Sequence, residues 1–295
     1  MQRDACVNYS TKKRFKVGRF FAYFFLVLLA FTFVFPYAWL IFSSFKTPAD
    51  LFSTTFSILP IDSNGHLYFN FDNYANAMQM LDLGNVFFKT FLVCIVNTAL
   101  NLFLNALTGY AFARIDFKGK KIAFAIMMAT MMIPGAIMTI PNVLICGKLG
   151  IIDELPVLIL PFIMSVYNCF LMRQQFLSLN KDLEEAAIMD GANHFKIFFT
   201  IGLPMVSPML VVLGITTFMW NYSNFMWTIF AVPTNSDAYT LAKVLGDLIS
   251  AGSNNANLYP QMLAASVLTS LPLVVIFFFL QRFIFEGISL GGVKE

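Results

Sequence analysis

Residues 173–208 read RQQFLSLNKDLEEAAIMDGANHFKIFFTIGLPMVSP, a polar and partly acidic stretch set between long charge-free runs. Asn180 or Asp182 is placed to cap a short helix through Leu183, Glu184, Glu185, Ala186, Ala187, Ile188 and Met189, with carboxylates in the first turn where the helix dipole favours them. Gly191 then permits a backbone bend. Asn193 caps a second helix running from His194 toward Ile201, which Pro204 ends or kinks. Two short helices joined at a glycine form a compact knuckle, and the small side chains of Ala186 and Ala187 let another backbone come close. The competing reading is an amphipathic helix resting on lipid headgroups.

Outward from this stretch, the Asp-, Glu-, Lys- and Arg-free runs are Phe20 to Phe45, Thr90 to Ala113, Ile122 to Gly147, Leu155 to Met172, Ile197 to Ser236 and Leu248 to Gln281. A helix crossing a hydrocarbon core of about 30 Å needs roughly 20 residues. Five runs exceed that length, and the fourth, at 18 residues, is near it. Pro204, Pro208 and the polar Asn221, Tyr222, Ser223 and Asn224 leave the 40-residue fifth run one crossing, near 207–230. The sixth begins with the polar run Ser250 to Asn257 and spans from Pro260 to Gln281. The expectation is an all-α membrane protein with six transmembrane helices. Composition agrees: 58% of the 295 residues are hydrophobic and 12% charged, about half the charged fraction of a soluble domain.

Basic residues favour the cytoplasm in short loops. Placing the amino terminus inside puts 15 of the 19 Lys and Arg residues on that face, leaving Lys46, Lys89, Lys148 and Lys243 outside. Both termini and the stretch at 173–206 are therefore read as cytoplasmic. The first charge-free run, at 26 residues, exceeds the roughly 7–15 of a signal-peptide core, so it is read as a retained span. Residues 43–89 form an outer loop with one short amphipathic helix around Asp72 to Met80.

These patterns exclude several functions. A net charge of +3, dispersed along the chain, does not suit a nucleic-acid binder. Cys6, Cys94, Cys146 and Cys169 lie far apart, no CxxC occurs and there are two histidines, so no metal site is expected. No GxxxxGK[ST] phosphate loop is present. The spans hold no carboxylate, lysine or arginine, whereas ion-coupled transporters place ionisable groups there. Any uphill transport must draw its free energy from another subunit.

Glu185-Ala186-Ala187, three residues, Gly191, nine residues, then Ile201-Gly202-Leu203-Pro204 resembles the EAA loop of ABC-importer permeases, E-A-A-x3-G-x9-I-x-L-P, at every defined position. The chain is similar to permeases of the carbohydrate-uptake class, and within it to the second, six-helix permease of the maltose transporter. Ser43 to Pro48, Tyr110 to Arg114, Met132 to Gly135, Gln281 to Phe283 and the tail with Gly287 and Gly291 to Lys294 carry that likeness. Gly292 and Glu295 depart from the usual Gly-Ala-Val-Lys-Gly ending.

The resemblance implies a type I ABC importer permease fold in a bacterial cell membrane. It comprises a cytoplasmic segment 1–19 and a transmembrane domain 20–285, with spans near 20–43, 88–113, 122–146, 155–172, 207–230 and 260–281. A cytoplasmic coupling loop falls at 173–206 and a tail at 286–295. It implies a non-catalytic subunit importing a sugar or oligosaccharide, with no cofactor in this chain. ATP and Mg would be bound by two cytoplasmic ATPase subunits, with a homologous second permease and an extracellular solute-binding protein completing the assembly in membrane lipid. Glu184, Glu185, Ala186, Ala187, Asp190, Gly191, Ala192, Ile201, Leu203 and Pro204 would couple to the ATPase, Glu185 as the polar contact. Gly287, Gly291, Gly292 and Lys294 would form an extended tail entering the ATPase interface. Ser253, Asn254 and Asn255, in an otherwise plain connector, would touch the binding protein.

Trp220, Asn221, Tyr222, Asn224 and Trp227 bring together aromatic faces and amides, the chemistry of sugar recognition. Trp220, Asn221, Tyr222 and Asn224 are therefore candidates to line the pore, although hydrogen bonding between spans explains the amides equally well. A permease for a non-sugar solute, or a non-transporting scaffold that recruits an ATPase, are the alternatives.

Overall fold

A computed structural model of the chain describes residues 17–54, 57–61, 65–80, 82–233 and 238–292. Among them the regular secondary structure is helical, with an isolated antiparallel bridge between Ile61 and Leu67. α1 (Val17–Ser43) lies almost wholly exposed and leans on the last helix, where the Tyr37 hydroxyl meets Ser270 Oγ at 2.8 Å. α2 (Pro48–Leu51) is capped by Thr47, whose Oγ1 accepts from Asp50 N at 3.3 Å. α3 (Asp72–Met80) matches the expected amphipathic helix. Asn73 fastens it to the end of α1 by donating to the carbonyls of Ser44 and Lys46 at 2.8 and 2.9 Å.

α4 (Leu83–Arg114) is the central shaft. Beyond it the expected third span is broken into α5 (Lys120–Thr130) and α6 (Gly135–Lys148), bent by 102°. Pro134 explains the break, since it lacks an N–H and disfavours helical geometry at Ile133. The fourth is likewise divided, into α7 (Leu155–Ile159) with a 3₁₀ turn at Leu160–Phe162, and α8 (Val166–Ser178), bent by 44°. It also runs past Met172, so residues 173–178 of the expected loop complete α8.

The loop itself holds α9 (Asp182–Met189), α10 (His194–Ile197), a π-helical turn (Phe198–Gly202) and α11 (Leu203–Met205). α12 (Ser207–Tyr222) leaves at 76° from this segment, and the expected fifth span stops there: a break at Ser223 and Asn224 precedes α13 (Phe225–Ala231). Among the described residues three helices are long and apolar enough to cross a membrane, or up to six spans if each bent pair counts as one.

The expected connector between the last two spans is instead mostly α14 (Leu241–Asn254). Leu241, Val244 and Leu248, at i, i+3 and i+7, face inward with Leu83, Val86, Ala264 and Ala265. The glycines and serines near 250 drew the sequence reading toward a loop, while this apolar stripe decided the structure. α15 (Tyr259–Gly292) closes the fold and runs well past Gln281.

α4 and α8 cross closely at Gly109. A Cβ placed there would lie 2.7 Å from Met172 Cβ and 2.9 Å from the Arg173 backbone nitrogen. Both the knuckle and the broken fourth span hang on this crossing.

Candidate functional site

The knuckle is built as its residues require. Lys196 N donates to Asn193 Oδ1 at 2.8 Å, the expected cap. Asn180 Oδ1 accepts from Asp182 N at 3.1 Å, but two residues before α9; the cap position is Lys181, whose side chain caps nothing, so neither Asn180 nor Asp182 takes the expected place. The bend is a Schellman turn: Gly191 N donates to Ile188 O and Ala192 N to Ala187 O, both at 2.9 Å, with Gly191 at φ +82°. The left-handed conformation is why glycine stands there, because no atom lies within 4 Å of where its Cβ would be.

Ile197, Phe198 and Val206 anchor the knuckle beneath Tyr110, Met172 and Phe176, with Ala187, Ala192, Ile201 and Leu203 packed around them. Gly202 is buried beside the Phe176 ring, and Pro204 lies exposed. The opposite face is open: Glu185, Ala186 and Asp190 are exposed, as are Leu183, Ile188, Phe195 and above all Met189, at 88%.

Neighbouring carboxylates of the loop thus part ways. Glu185 faces outward, whereas Glu184 turns in against Arg114, the last residue of α4, with Nε and Oε1 2.9 Å apart and side chains 11% and 3% exposed. Arg114 Nη2 also donates to the Leu179 carbonyl at 2.7 Å. Arg114 is the residue that sequence reasoning missed. Its place at the end of a span, 70 positions before Glu184, was the available signal, but nothing local pairs them. Beside it Arg173 donates to Phe112 O at 3.2 Å and sits 4.2 Å above the Phe124 ring.

The expected extended tail is helical where described, through Gly287 and up to Gly291 and Gly292; Lys294 lies outside the described residues. Ser253 and Asn254 end α14, and Asn255 accepts from Asn257 N at 3.1 Å to start a 3₁₀ turn.

A second site lies midway along the bundle. Asn97, Asn101 and Asn105 form a ladder at four-residue intervals down one face of α4, each at most 2% exposed. The break before α8 leaves backbone groups without helical partners, and the ladder supplies them. Asn97 Nδ2 donates to Ile159 O at 2.7 Å, Asn101 Nδ2 to Phe162 O at 2.8 Å, and Ser165 N to Asn105 Oδ1 at 3.2 Å. Asn168 Nδ2 joins Asn101 Oδ1 and Thr217 Oγ1, and Asn221 Nδ2 joins Asn97 Oδ1.

Above this network Asn97, Asn101, Phe162, Ser165, Thr216, Trp220 and neighbouring residues line a cleft of about 350 Å³. The four candidate pore residues therefore separate. Trp220 lines the cleft, Asn221 is held in the network, Tyr222 turns away to donate to Thr269 O at 2.7 Å, and Asn224 stands at the break before α13. Among the described residues no three His, Cys, Asp or Glu side chains group as metal ligands would.

Residues 105–289 match the family described as binding-protein-dependent transport system inner membrane component. The chain is 33% identical over 285 residues to the arabinooligosaccharides transport system permease protein AraQ of Bacillus subtilis (strain 168), covering 95% of this chain and 98% of that one. It is 29% identical over 272 residues to the lactose transport system permease protein LacG of Rhizobium radiobacter, covering 91% and 94%. Its fold is similar to a chain in the crystal structure of a bacterial ABC transporter involved in the import of the acidic polysaccharide alginate. There the TM-score is 0.77, with 20% identity over 90% of this chain and 97% of that one.

Proposed function

The chain belongs to the family of binding-protein-dependent transport system inner membrane components, multi-pass permease subunits of ABC transporters in the plasma membrane, and from that premise we propose that it forms half of the pore of a sugar or oligosaccharide importer. The sugar class is carried over from the similar permeases named for arabinooligosaccharides and lactose. A second permease forms the other half, an external binding protein delivers the sugar, and two cytoplasmic ATPases supply the free energy. The knuckle and both termini would then lie on the cytoplasmic side, a reading that the distribution of basic residues supports.

The observation that carries the coupling role is the division of labour between Glu184 and Glu185. A docking element needs a face that the fold leaves open and a rigid link to the part it moves. Leu183, Glu185, Ala186 and Met189 supply the first. Glu184, gripped by Arg114, supplies the second and ties the knuckle to the shaft beside the pore. The ATPase cleft would take Glu185 and Ala186 as its contacts. Closure of the ATPase dimer, gripping the knuckle differently in its two states, would then swing α4 and α8 between inward- and outward-facing arrangements. The last turns of α15 would approach the same ATPase.

Gly191→Asp forces a left-handed conformation at a cost of roughly 1–2 kcal/mol without a clash. The variant is expected to insert and assemble, yet to lose most ATP-driven uptake of labelled oligosaccharide in vesicles carrying all partners. Wild-type uptake by that assembled complex would count against the coupling role. Uptake by wild-type vesicles also separates an importer from a scaffold, which recruits the ATPase and moves nothing.

A further inference from the structure

On the basis of the importer reading above, we infer that the cleft over the asparagine ladder is this chain's own sugar-contact surface, and that it takes a neutral rather than an acidic sugar. Its lining, which includes Phe162, Met164, Tyr167, Asn168, Thr217 and Trp220, contains no charged side chain. A uronate would find no cation there to offset the desolvation of its carboxylate.

The polar groups are arranged for hydroxyls. Asn168 spends both amide hydrogens on Asn101 and Thr217, which aims its Oδ1 as an acceptor with no partner among the described residues. The Tyr167 hydroxyl and the Trp220 indole N–H are likewise without a described partner, and both residues are about half exposed, at 55% and 49%. The Trp220 ring is braced rather than loose. It stands edge-on to Phe162 at 4.8 Å, and Phe162 stands edge-on to Trp227 at 5.2 Å, whose Nε1 donates to Val157 O at 3.0 Å. A fixed aromatic face beside neutral donors and acceptors suits the C–H face and hydroxyl rim of a sugar ring. The volume of about 350 Å³ falls at the small end of ligand pockets, roughly 300–1,000 Å³.

The two sides of α12 also differ. Thr216, Thr217 and Trp220 face the cleft, whereas Leu210, Val211, Gly214, Ile215 and Phe218 face a groove completed by Phe91, Ile95, Ile276 and Leu280 that is almost purely apolar. Hydrocarbon leaves polar groups without partners, so the apolar side suits lipid and the amide-lined side must meet water.

The test uses the fully assembled transporter in vesicles, carrying Met164→Cys with Cys6→Ser. The other cysteines, Cys94, Cys146 and Cys169, are buried. The new thiol is expected to react with a charged, membrane-impermeant methanethiosulfonate reagent. That reaction should slow at least fivefold in the presence of whichever neutral arabino-, galacto- or malto-oligosaccharide the wild type imports, and not with oligogalacturonate. Trp220→Ala should raise the KM for that sugar about tenfold with a smaller change in kcat. An unreactive thiol, a reaction that the imported sugar leaves unslowed, or import of oligogalacturonate in preference to neutral sugars would overturn the inference. Wild-type vesicles that import neither kind of sugar overturn the importer reading instead.

Discussion

The knuckle and the cleft hang on the same helix, and they are fastened to it in opposite ways. At the end of α4 the knuckle is held by charge, with Arg114 between Glu184 and the Leu179 carbonyl. About two and a half to five turns further in, the broken span is held by neutral amides, with Asn97, Asn101 and Asn105 meeting the backbone groups that the break exposes. The difference follows from the surroundings. An ion pair is expensive to bury where its hydrogen-bonding capacity is not fully met, and even at the end of α4 the Leu179 carbonyl takes one Arg114 donor while Nη1 has no hydrogen-bond partner among the described residues. In the middle of a bundle an amide bonds a stranded carbonyl without a charge to desolvate.

Three variants bear on that contrast. The largest effect is expected from Glu184→Ala, which leaves Arg114 buried without its carboxylate and should cost about 3–5 kcal/mol. Pairing it with Arg114→Met should restore most of the loss in thermal unfolding in detergent, since an apolar replacement of the whole pair is often neutral. No restoration would mean that charge is not what fastens the knuckle. Next comes Gly109→Ala. Its methyl would meet Met172 and the Arg173 backbone, and overpacking of this kind costs typically 1–3 kcal/mol. Because both regions hang on this crossing, unfolding and uptake should fall together; loss of one alone would show that they are independent. The smallest is Thr217→Val, which removes one acceptor from Asn168 while Asn101 still serves it. A loss of about 1 kcal/mol is expected, and a much larger drop in melting temperature would mean that the amide network is cooperative.

The contrast also explains what could be read in the sequence. The knuckle was legible because its signals are local: a cap at Asn193, a bend at Gly191 and spacings within 20 residues. Arg114 was not, since its partner lies on another helix. Charge-free runs located α1, α4 and α15, and they also covered the breaks in the third, fourth and fifth spans, because a kinked apolar segment has the same composition as a straight one. Pro134, and Pro161 in the 3₁₀ turn before α8, stand in the sequence, but the amides that make the fourth break tolerable come from α4, about 60 positions away. The four candidate pore residues formed a plausible cluster on paper; helical periodicity spread Trp220, Asn221 and Tyr222 around α12, Asn224 fell in the break beyond it, and of the four Trp220 alone lines the cleft. α14 was overlooked because its polar carboxyl-terminal half outweighed its apolar stripe in the reading.

The asparagine ladder has an evolutionary consequence. The break beneath the cleft is underwritten by α4, so Met164, Tyr167 and Trp220 on its rim carry none of the hydrogen bonds that keep the backbone intact. Selection can replace them one at a time without first finding a stabilising mutation elsewhere. Under the sugar-contact proposal, lineages that keep the same frame would be free to drift in diet.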